Sequence, residues 1–492
     1  MLPVPVTRTP VRFLPDASRV ITKPFVPTGD VSPRGETRVD RILSRVLSMT
    51  EAAVSLGLGE TERRFAGRHG DLRRVFEDHF DLVSHRLESP RSISADRRLL
   101  IGAYFSHEYS IESAALSNPS IVAAPDQTGL VPGAVRFIMS LRAIGEGHIS
   151  SIQFRSGVID GEGHIDIEPA TNRATTARRH VPTFERPLFR RKLAELASLN
   201  EVADEVLSGL PDRFTLEALE QQLRLIEKLH GHAQDVLQAT RKIHWLASSN
   251  YESTFEPTSQ LSERVLFPAG PTESHGMEDA RFVRFQEDDG SVQYFAPYTA
   301  YDGFQIMPQL IETADFQHFA IATLNGPCAR NKGIALFPRR IGGSLAALGR
   351  LDNENNYLMW SDNVRFWDRS EILQRPRSPW EFVQIGNCGS PIETEAGWLV
   401  ITHGVGALRQ YAIGAILLDL ADPARVIGHL DTPLLEPDEG ERDGYVPNVV
   451  YSCGSMVAGD LLVLPYGFSD VGTKIATVRL DSLLEALTTS VH

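Results

Sequence analysis

Cysteine is nearly missing from this chain: Cys328, Cys388 and Cys453 are the only three in 492 residues. They are odd in number and far apart, with no CxxC and no histidine at metal-like spacing, which excludes a disulfide framework and a Cys/His metal site and leaves three buried thiols. Long apolar runs are missing too. None approaches the roughly 18 residues of a membrane span. The opening MLPVPVTRTPVRFLPDASRV is Pro-rich and Arg-bearing rather than signal-like, so a cytoplasmic protein without a membrane partner is expected. Positive charge is in deficit, 49 Lys and Arg against 63 Asp and Glu for a net charge of -14. Such a surface repels nucleic acid and anionic membrane, and an anionic substrate would need a local basic site. No G-x-x-x-x-G-K-[ST] occurs and no G-x-G-x-x-G follows a strand, which leaves nucleotide-binding folds unsupported. His107-Glu108 opens like a zinc-protease motif but continues Tyr-Ser-Ile without a second histidine. No metal and no cofactor are expected.

What is present is an ordinary globular composition, 42% hydrophobic and 23% charged. Residues 1–35 hold Pro and Gly without periodicity and read as an extended arm. Val39, Ile42, Leu43, Val46 and Leu47 fall at helical spacing, as do Leu72, Val75, Phe76, Phe80, Val83 and Leu87, and a third helix is predicted over about 94–116. From about 118 the pattern changes to short β-branched and aromatic runs split by Gly, Asp and Asn, such as AVRFIMSLRA, VQYFAPYTAYDG and YLMWSDN. Residues 188–247 interrupt these. There Leu216, Leu219, Leu223, Ile226, Ala233 and Leu237 alternate by threes and fours, predicting a helical hairpin with a coiled-coil-like seam. His230 and His232 flank Gly231 and read as a polar break in that seam. The expected domains are an N-terminal arm and α-helical region over 1–117, a β domain over 118–484 and a helical insertion over 188–247 within it. TADFQHF at 313–319 and SDNVRFW at 361–367 recur at an offset of 48 residues. That spacing lies within the roughly 40–50 of a propeller blade and favours a propeller over a sandwich.

Polar residues crowd predicted strand ends in GMEDARF, ARNKGIALFPRR, ITHGVG, YVPNVVYS and LPYGFSD. In a propeller such ends converge on one axis, so residues distant in sequence can share a pocket. In GMEDARF, strand alternation puts Asp279 and Arg281 on one face and Glu278 on the other. Spacing alone favours an ordinary strand-end salt bridge there over a catalyst. Lys332, Arg350 and His403 lie near strand ends where a phosphate pocket could gather them from separate blades. Solvated surface charges and a satisfied core histidine are the competing readings.

Taken in order, NPSIV (118–122), Ser140-Leu141-Arg142, GMEDARF, NKGIALFPRRIGG, GWLVITHGVG, AILLDLADP, GYVPNVVYS and LPYGFSD resemble the motifs of glycoside hydrolase family 130, the β-mannoside phosphorylases and β-mannosidases. The resemblance covers about 118–480 apart from the helical insertion. It implies a mainly β protein, a five-bladed β-propeller with an N-terminal α-helical region and a helical insertion, whose site lies on the axis. GMEDARF is similar to the family's Glu-Asp-Pro-Arg motif, which makes Asp279 the catalytic acid, with Ala280 in place of the usual proline. Asn118, Arg142, Glu278, Arg281 and Asp470 then fall on the mannoside, and Lys332, Arg350, Gln384 and His403 on phosphate. Gln384 stands where the phosphorylases usually carry Lys.

The implied reaction is inverting phosphorolysis of β-mannosides, β-1,2-linked manno-oligosaccharides foremost, giving α-mannose 1-phosphate. Asp279 would deliver its proton through a mannose hydroxyl. Ordinary inverting glycosidases need a second carboxylate to activate water, whereas phosphate is already a nucleophilic anion and a phosphorylase needs no such base. Hydrolysis by a β-mannosidase remains the alternative, as do a β-mannosyltransferase and a non-catalytic sugar-binding propeller. The partners expected are manno-oligosaccharide and phosphate. The helical segments are expected to form a homodimer contact or a lid.

Overall fold

The strand Gly397–Val405 (GWLVITHGV) is buried along its whole length. Its alternate side chains enter different cores: Trp398 and Val400 pack with Phe337, Leu348 and Ile416, whereas Leu399 and Ile401 pack with Leu417, Leu464 and Tyr466. A strand covered on both faces reads as a continuous apolar run, because alternation sends each neighbour to a separate hydrophobic layer. Each buried Val or Leu contributes about 1.5–3 kcal/mol. The same physics explains Ala115–Ala123 and Leu461–Phe468, which are almost wholly buried.

The computed structural model describes residues 4–28, 35–180, 182–231 and 233–489. The protein is mainly β, and its strands form antiparallel units of about four. Ala115–Ala123, Val135–Ile144, Ser150–Ile159 and Ile165–Ile167 make the first unit. Gly276–Glu278 with Val283–Gln286, then Val292–Tyr301, Ile306–Thr313 and His318–Thr323 make the second. A parallel bridge from Gly276 to Ser150 merges the two into one thirteen-stranded sheet. Lys332–Leu336, Leu345–Arg350, Asn356–Ser361 and Arg369–Gln374 form a four-stranded sheet. Gln384–Asn387, Gly397–Val405, Tyr411–Leu418 and Val426–His429 belong to the next, and Val450–Tyr451, Leu461–Phe468 and Gly472–Arg479 to the last. Among the described residues no sheet closes on itself. Five apolar clusters lie between successive units, and the fifth, with Leu116, Phe137, Met139, Val463 and Ile475, joins the last unit to the first.

The N-terminal segment is not a free arm. Val6–Phe13 is the outer strand of the last sheet, pairing antiparallel with Gly472–Arg479 from Val6↔Val478 to Phe13↔Thr473. Glu441 secures this junction, accepting from Arg8, Lys474 Nζ at 2.9 Å and Tyr466 Oη at 2.7 Å. Four helices follow: Arg38–Leu47, Glu51–Phe65, Leu72–Ser84 and Ala95–Tyr104. The second escaped the periodicity reading because Gly57 and Gly59 dilute its apolar stripe. The helix expected over 94–116 stops at Tyr104, and Ser106–Ser110 and Ala115–Ala123 are strands. Gly102 lets that helix meet its neighbour, since a Cβ there would stand 1.7 Å from the Phe76 carbonyl oxygen.

In the 188–247 region, helices Leu216–His230 and Gln234–Ser248 form the expected hairpin. Two further helices, Arg186–Glu195 and Glu201–Ser208, join them around Leu193, Val206, Leu219, Leu223, Ile226 and Ile243. The seam does not run through Ala233, which is exposed: the chain reverses at Gly231, φ 66°, and Val236 and Ile243 take over. His230 Nε2 pairs with Glu205 at 2.8 Å. His232 lies outside the described residues. Among the described residues no single helix is long and apolar enough to cross a membrane.

Candidate active site

Four of the polar residues singled out in the sequence lie where second strands end and hairpins begin. Arg142 lies near the end of Val135–Ile144, Arg350 ends Leu345–Arg350, His403 is near the end of Gly397–Val405, and Asp470 lies in the turn after Leu461–Phe468. Asn118, Asp279 and Asp470 all hold left-handed backbone, with φ of 49°, 57° and 50°. Non-glycine residues seldom take this region, and its cost is tolerated mainly where a side chain must be aimed.

The kink at Asp279 overturns one expectation. Regular alternation would set Glu278 and Asp279 on opposite faces, but the strand stops at Glu278 and the positive φ turns both carboxylates toward Arg142. Arg142 Nη2 donates to Glu278 Oε1 at 2.7 Å, its Nη1 lies 3.7 Å from Asp279 Oδ1, and its Nε donates to Ser150 Oγ at 2.9 Å. Lys332 Nζ donates to the other Glu278 oxygen at 2.8 Å. Asn118 Nδ2 donates to Asp279 Oδ1.

Arg281, 1% exposed, donates through Nη1 to the Asp279 carbonyl at 3.1 Å and through Nη2 to Tyr451 Oη at 2.6 Å. Lys332 and Arg350 do not come from separate units, as their distance in sequence suggested; they face each other across one pair of strands. Gly333, beside Lys332, holds the left-handed φ of 84° that favours glycine, and it faces both guanidinium side chains: a Cβ there would touch the Arg350 Cβ at 3.8 Å and Arg281 Nη2 at 4.0 Å. His403 and Gln384 come from the next sheet. His403 Nδ1 donates to the Asn387 carbonyl at 3.2 Å, leaving Nε2 to accept from Arg350 Nη1 at 3.3 Å. With its amide oxygen toward Arg350, Gln384 accepts from Nη1 and donates to the Asn353 carbonyl at 3.1 Å, which satisfies both ends better than donation to His403. The Nε atoms of Arg281 and Arg350 are buried without a hydrogen-bond partner among the described residues. An unmet buried donor costs about 1–3 kcal/mol, so an incoming acceptor would be favoured at both.

The electrostatics divide the site. Burial works to raise the Asp279 pKa, but the charges of Arg142, Lys332 and Arg281 and the Asn118 hydrogen bond outweigh it and hold the carboxylate below its usual range. Burial pushes Asp470 upward, helped by Asp279 and Glu278 and opposed by Arg142 and Arg409. Burial, with the Arg350 and Arg281 charges, drives His403 far below its usual value and keeps it neutral. The arrangement therefore offers an acidic half of Glu278, Asp279 and Asp470, and a basic half of Arg281, Lys332 and Arg350 with neutral His403 behind.

Sequence reasoning passed over three residues that this geometry requires. Tyr451 joins Arg281 to His403, whose ring lies 4.8 Å away between centroids; it sat inside the quoted YVPNVVYS, and only its pairing with Arg281 singles it out. Ser150 and Asn387 act by orienting Arg142 and His403, and nothing in their local sequence marks them.

A family model described as beta-1,4-mannooligosaccharide phosphorylase matches residues 219–489, more than half of the chain. A 1,2-beta-oligomannan phosphorylase of Thermoanaerobacter sp. (strain X514) is 33% identical over 232 residues, 46% of this chain and 75% of that protein. A beta-1,2-mannobiose phosphorylase of Listeria innocua is 31% identical over 229 residues, 45% of this chain and 63% of that protein. Among solved structures, the beta-1,2-mannobiose complex of a beta-1,2-mannobiose phosphorylase from Listeria innocua is 20% identical, covers 77% of this chain and 93% of that one, and has a TM-score of 0.46. The family match and the relative covered over three quarters of its length establish that this chain belongs to glycoside hydrolase family 130.

Proposed function

We propose that this chain catalyses inverting phosphorolysis of β-1,2-linked manno-oligosaccharides, releasing α-mannose 1-phosphate from the non-reducing end, on a five-bladed β-propeller. The ring is supported by the five apolar clusters that link neighbouring units in cyclic order and by the N-terminal strand that completes the last sheet. The phosphorylase names of the relatives at 31–33% identity support the reaction and the β-1,2 linkage.

The observation that carries the reading is the basic half of the site. Arg281 and Arg350 flank Gly333 with Nε donors unmet, beside Lys332. Preorganised cations of this kind suit the oxygens of a phosphate and cancel its repulsion from the acidic half. A phosphate oxygen forms the new bond to the anomeric carbon from the face opposite the leaving group. The glycosidic bond breaks, and the leaving oxygen takes a proton originating at Asp279, relayed by a mannose hydroxyl. Asn118, Arg142, Glu278 and Asp470 hold the mannosyl unit, whereas Arg281, expected there from the resemblance, is reassigned to phosphate because its Nε is unmet and its Nη2 faces Gly333. Asp279 is held as a carboxylate by Arg142, Lys332 and Arg281. A bound phosphate offsets two of those cations and lets Asp279 take up the proton it must deliver.

Hydrolysis would need an ionised carboxylate to activate water. Glu278 is tied to Arg142 and Lys332 and is not free for that task, which leaves Asp470 as the carboxylate that hydrolysis would have to use. The deciding experiment incubates the enzyme with β-1,2- and β-1,4-mannobiose, with and without inorganic phosphate, and identifies the products. Phosphate-dependent α-mannose 1-phosphate from the β-1,2 substrate is expected. Free mannose released at a rate indifferent to phosphate would defeat the reading.

A further inference from the structure

The hairpins at the end of the fold that holds the site carry apolar side chains into solvent. Phe304, in the turn after Val292–Tyr301, and Leu408, in the turn after Gly397–Val405, are each 97% exposed. Leu408 and Arg409 are both left-handed, with φ of 54° and 57°. Single exposed apolar residues are ordinary, but a pair of rings held together in water is less so. His148 and Tyr445 are such a pair: both are exposed, Tyr445 at 67%, and their rings stack with centroids 5.5 Å apart and planes 26° from parallel.

The two rings come from distant parts of the sequence to the border between the first and last units, beside the acidic half of the site. His148, itself left-handed with φ 60°, stands two residues before Ser150, which receives Arg142 Nε. Tyr445 precedes Val446, whose N–H donates to the Ser469 carbonyl at 3.1 Å, and Ser469 precedes Asp470. Arg409 is close enough to Asp470 to oppose the rise in its pKa. The rings thus adjoin, through Ser150 and Ser469, the residues assigned to the mannosyl unit, and Arg409 acts on the same Asp470.

We propose that His148 and Tyr445 form a stacking platform for the sugar units of a manno-oligosaccharide beyond the two that flank the broken bond, so that this chain prefers oligosaccharides of three or more units to the disaccharide. The proposal rests on reading the site as a manno-oligosaccharide phosphorylase site. A pyranose carries C–H groups on its faces and hydroxyls at its edge. An exposed aromatic face binds the former, while Arg409 and solvent take the latter. Stacking the two rings on each other fixes the platform in advance, so little conformational freedom is lost when the sugar arrives.

The test compares kcat/KM for β-1,2-manno-oligosaccharides of two, three and four units at saturating phosphate in the wild type, Tyr445→Ala, Tyr445→Phe and the double variant His148→Ala/Tyr445→Ala. The wild type favours the longer substrates. Tyr445→Ala reduces the ratio of tetraose to disaccharide about tenfold, the size expected for one aromatic stack, and Tyr445→Phe, which keeps the face, restores it. Melting temperatures accompany each variant. An unchanged ratio with a lowered melting temperature identifies the pair as a staple between neighbouring hairpins and overturns the platform. A wild type that phosphorolyses all three lengths equally well overturns it too while leaving the reaction intact, whereas absence of any phosphorolysis defeats the functional reading itself.

Discussion

Asp279→Asn separates the proposed acid role from the structural roles of this residue. Asn keeps the size and one carbonyl oxygen, so Asn118 Nδ2 retains its acceptor, and Arg142 keeps its 2.7 Å bond to Glu278. The positive φ of 57° is a conformation that Asn tolerates better than most residues. Folding should therefore survive with a small change in melting temperature. What disappears is the transferable proton. Loss of a general acid costs about 10²–10⁴-fold in turnover, or about 3–5 kcal/mol of barrier. The assay is release of α-mannose 1-phosphate from β-1,2-mannobiose at saturating phosphate, run beside a 2,4-dinitrophenyl β-mannoside. That second leaving group departs without a proton, so the variant should lose far less activity on it. An equal loss on both substrates would refute the acid assignment and make Asp279 a residue that shapes the site through its charge. Near-normal turnover of mannobiose would refute it outright.

Arg350→Ala removes a guanidinium whose Nε is unmet and which His403 and Gln384 hold in place; the phosphate KM should rise about 10–100-fold, the value of one or two charge-assisted hydrogen bonds, with a much smaller change in the mannoside KM from initial rates. Lys332→Met takes away one of the charges that lower the Asp279 pKa, so the acid stays protonated to higher pH, and the alkaline limb of the kcat–pH profile should move upward, not downward. Glu441→Gln tests the junction of the two chain ends. Burial opposes ionisation of Glu441, but hydrogen bonds from Lys474, Tyr466 and Arg8 bring its pKa from 4.5 to about 2. Because the folded value lies below the unfolded one, this stability is fully present above pH 4.5 and lost as pH falls toward 2. The variant should melt lower at pH 7 and show a flatter decline across that window in thermal scans.

Much of the fold is written in residue alternation. Leu345 and Ala347 feed one apolar layer while Ala346 and Leu348 feed the next, so a strand between two neighbours has no polar face to display. The continuous apolar runs in the second half of the chain marked buried strands for that reason. Pairing of the chain ends was invisible because Val6–Phe13, an outer strand with exposed and half-buried positions, looks like any polar extended segment. Its partner lies more than 460 residues away, as in Val6↔Val478. The helix Glu51–Phe65 was hidden by its glycines, and the helix expected over 94–116 overran the observed end at Tyr104 because the chain beyond it goes over to strand, Ser106–Ser110 and then Ala115–Ala123.

The site was legible as a set of residue types but not as a geometry, and left-handed backbone is the reason. Alternation rules assume extended φ, and they fail where Asn118, Asp279 and Asp470 turn out of the strand. At Asp279 the failure is functional: with regular backbone, Glu278 and Asp279 would point apart and Arg142 could serve only one. The kink lets a single guanidinium neutralise both, 2.7 Å from one and 3.7 Å from the other, while Lys332 takes the free oxygen of Glu278. Ala280, where the family motif carries proline, leaves that kink intact, so the turn is imposed by the surrounding hydrogen bonds and not by a ring-locked backbone. Arg281 follows from the same kink. Held by the Asp279 carbonyl and Tyr451, it is directed toward Gly333 and Arg350, across from the carboxylates its neighbours carry. One left-handed residue thus partitions a four-residue motif between the acidic and basic halves of the site, the division on which the proposed attack by phosphate depends.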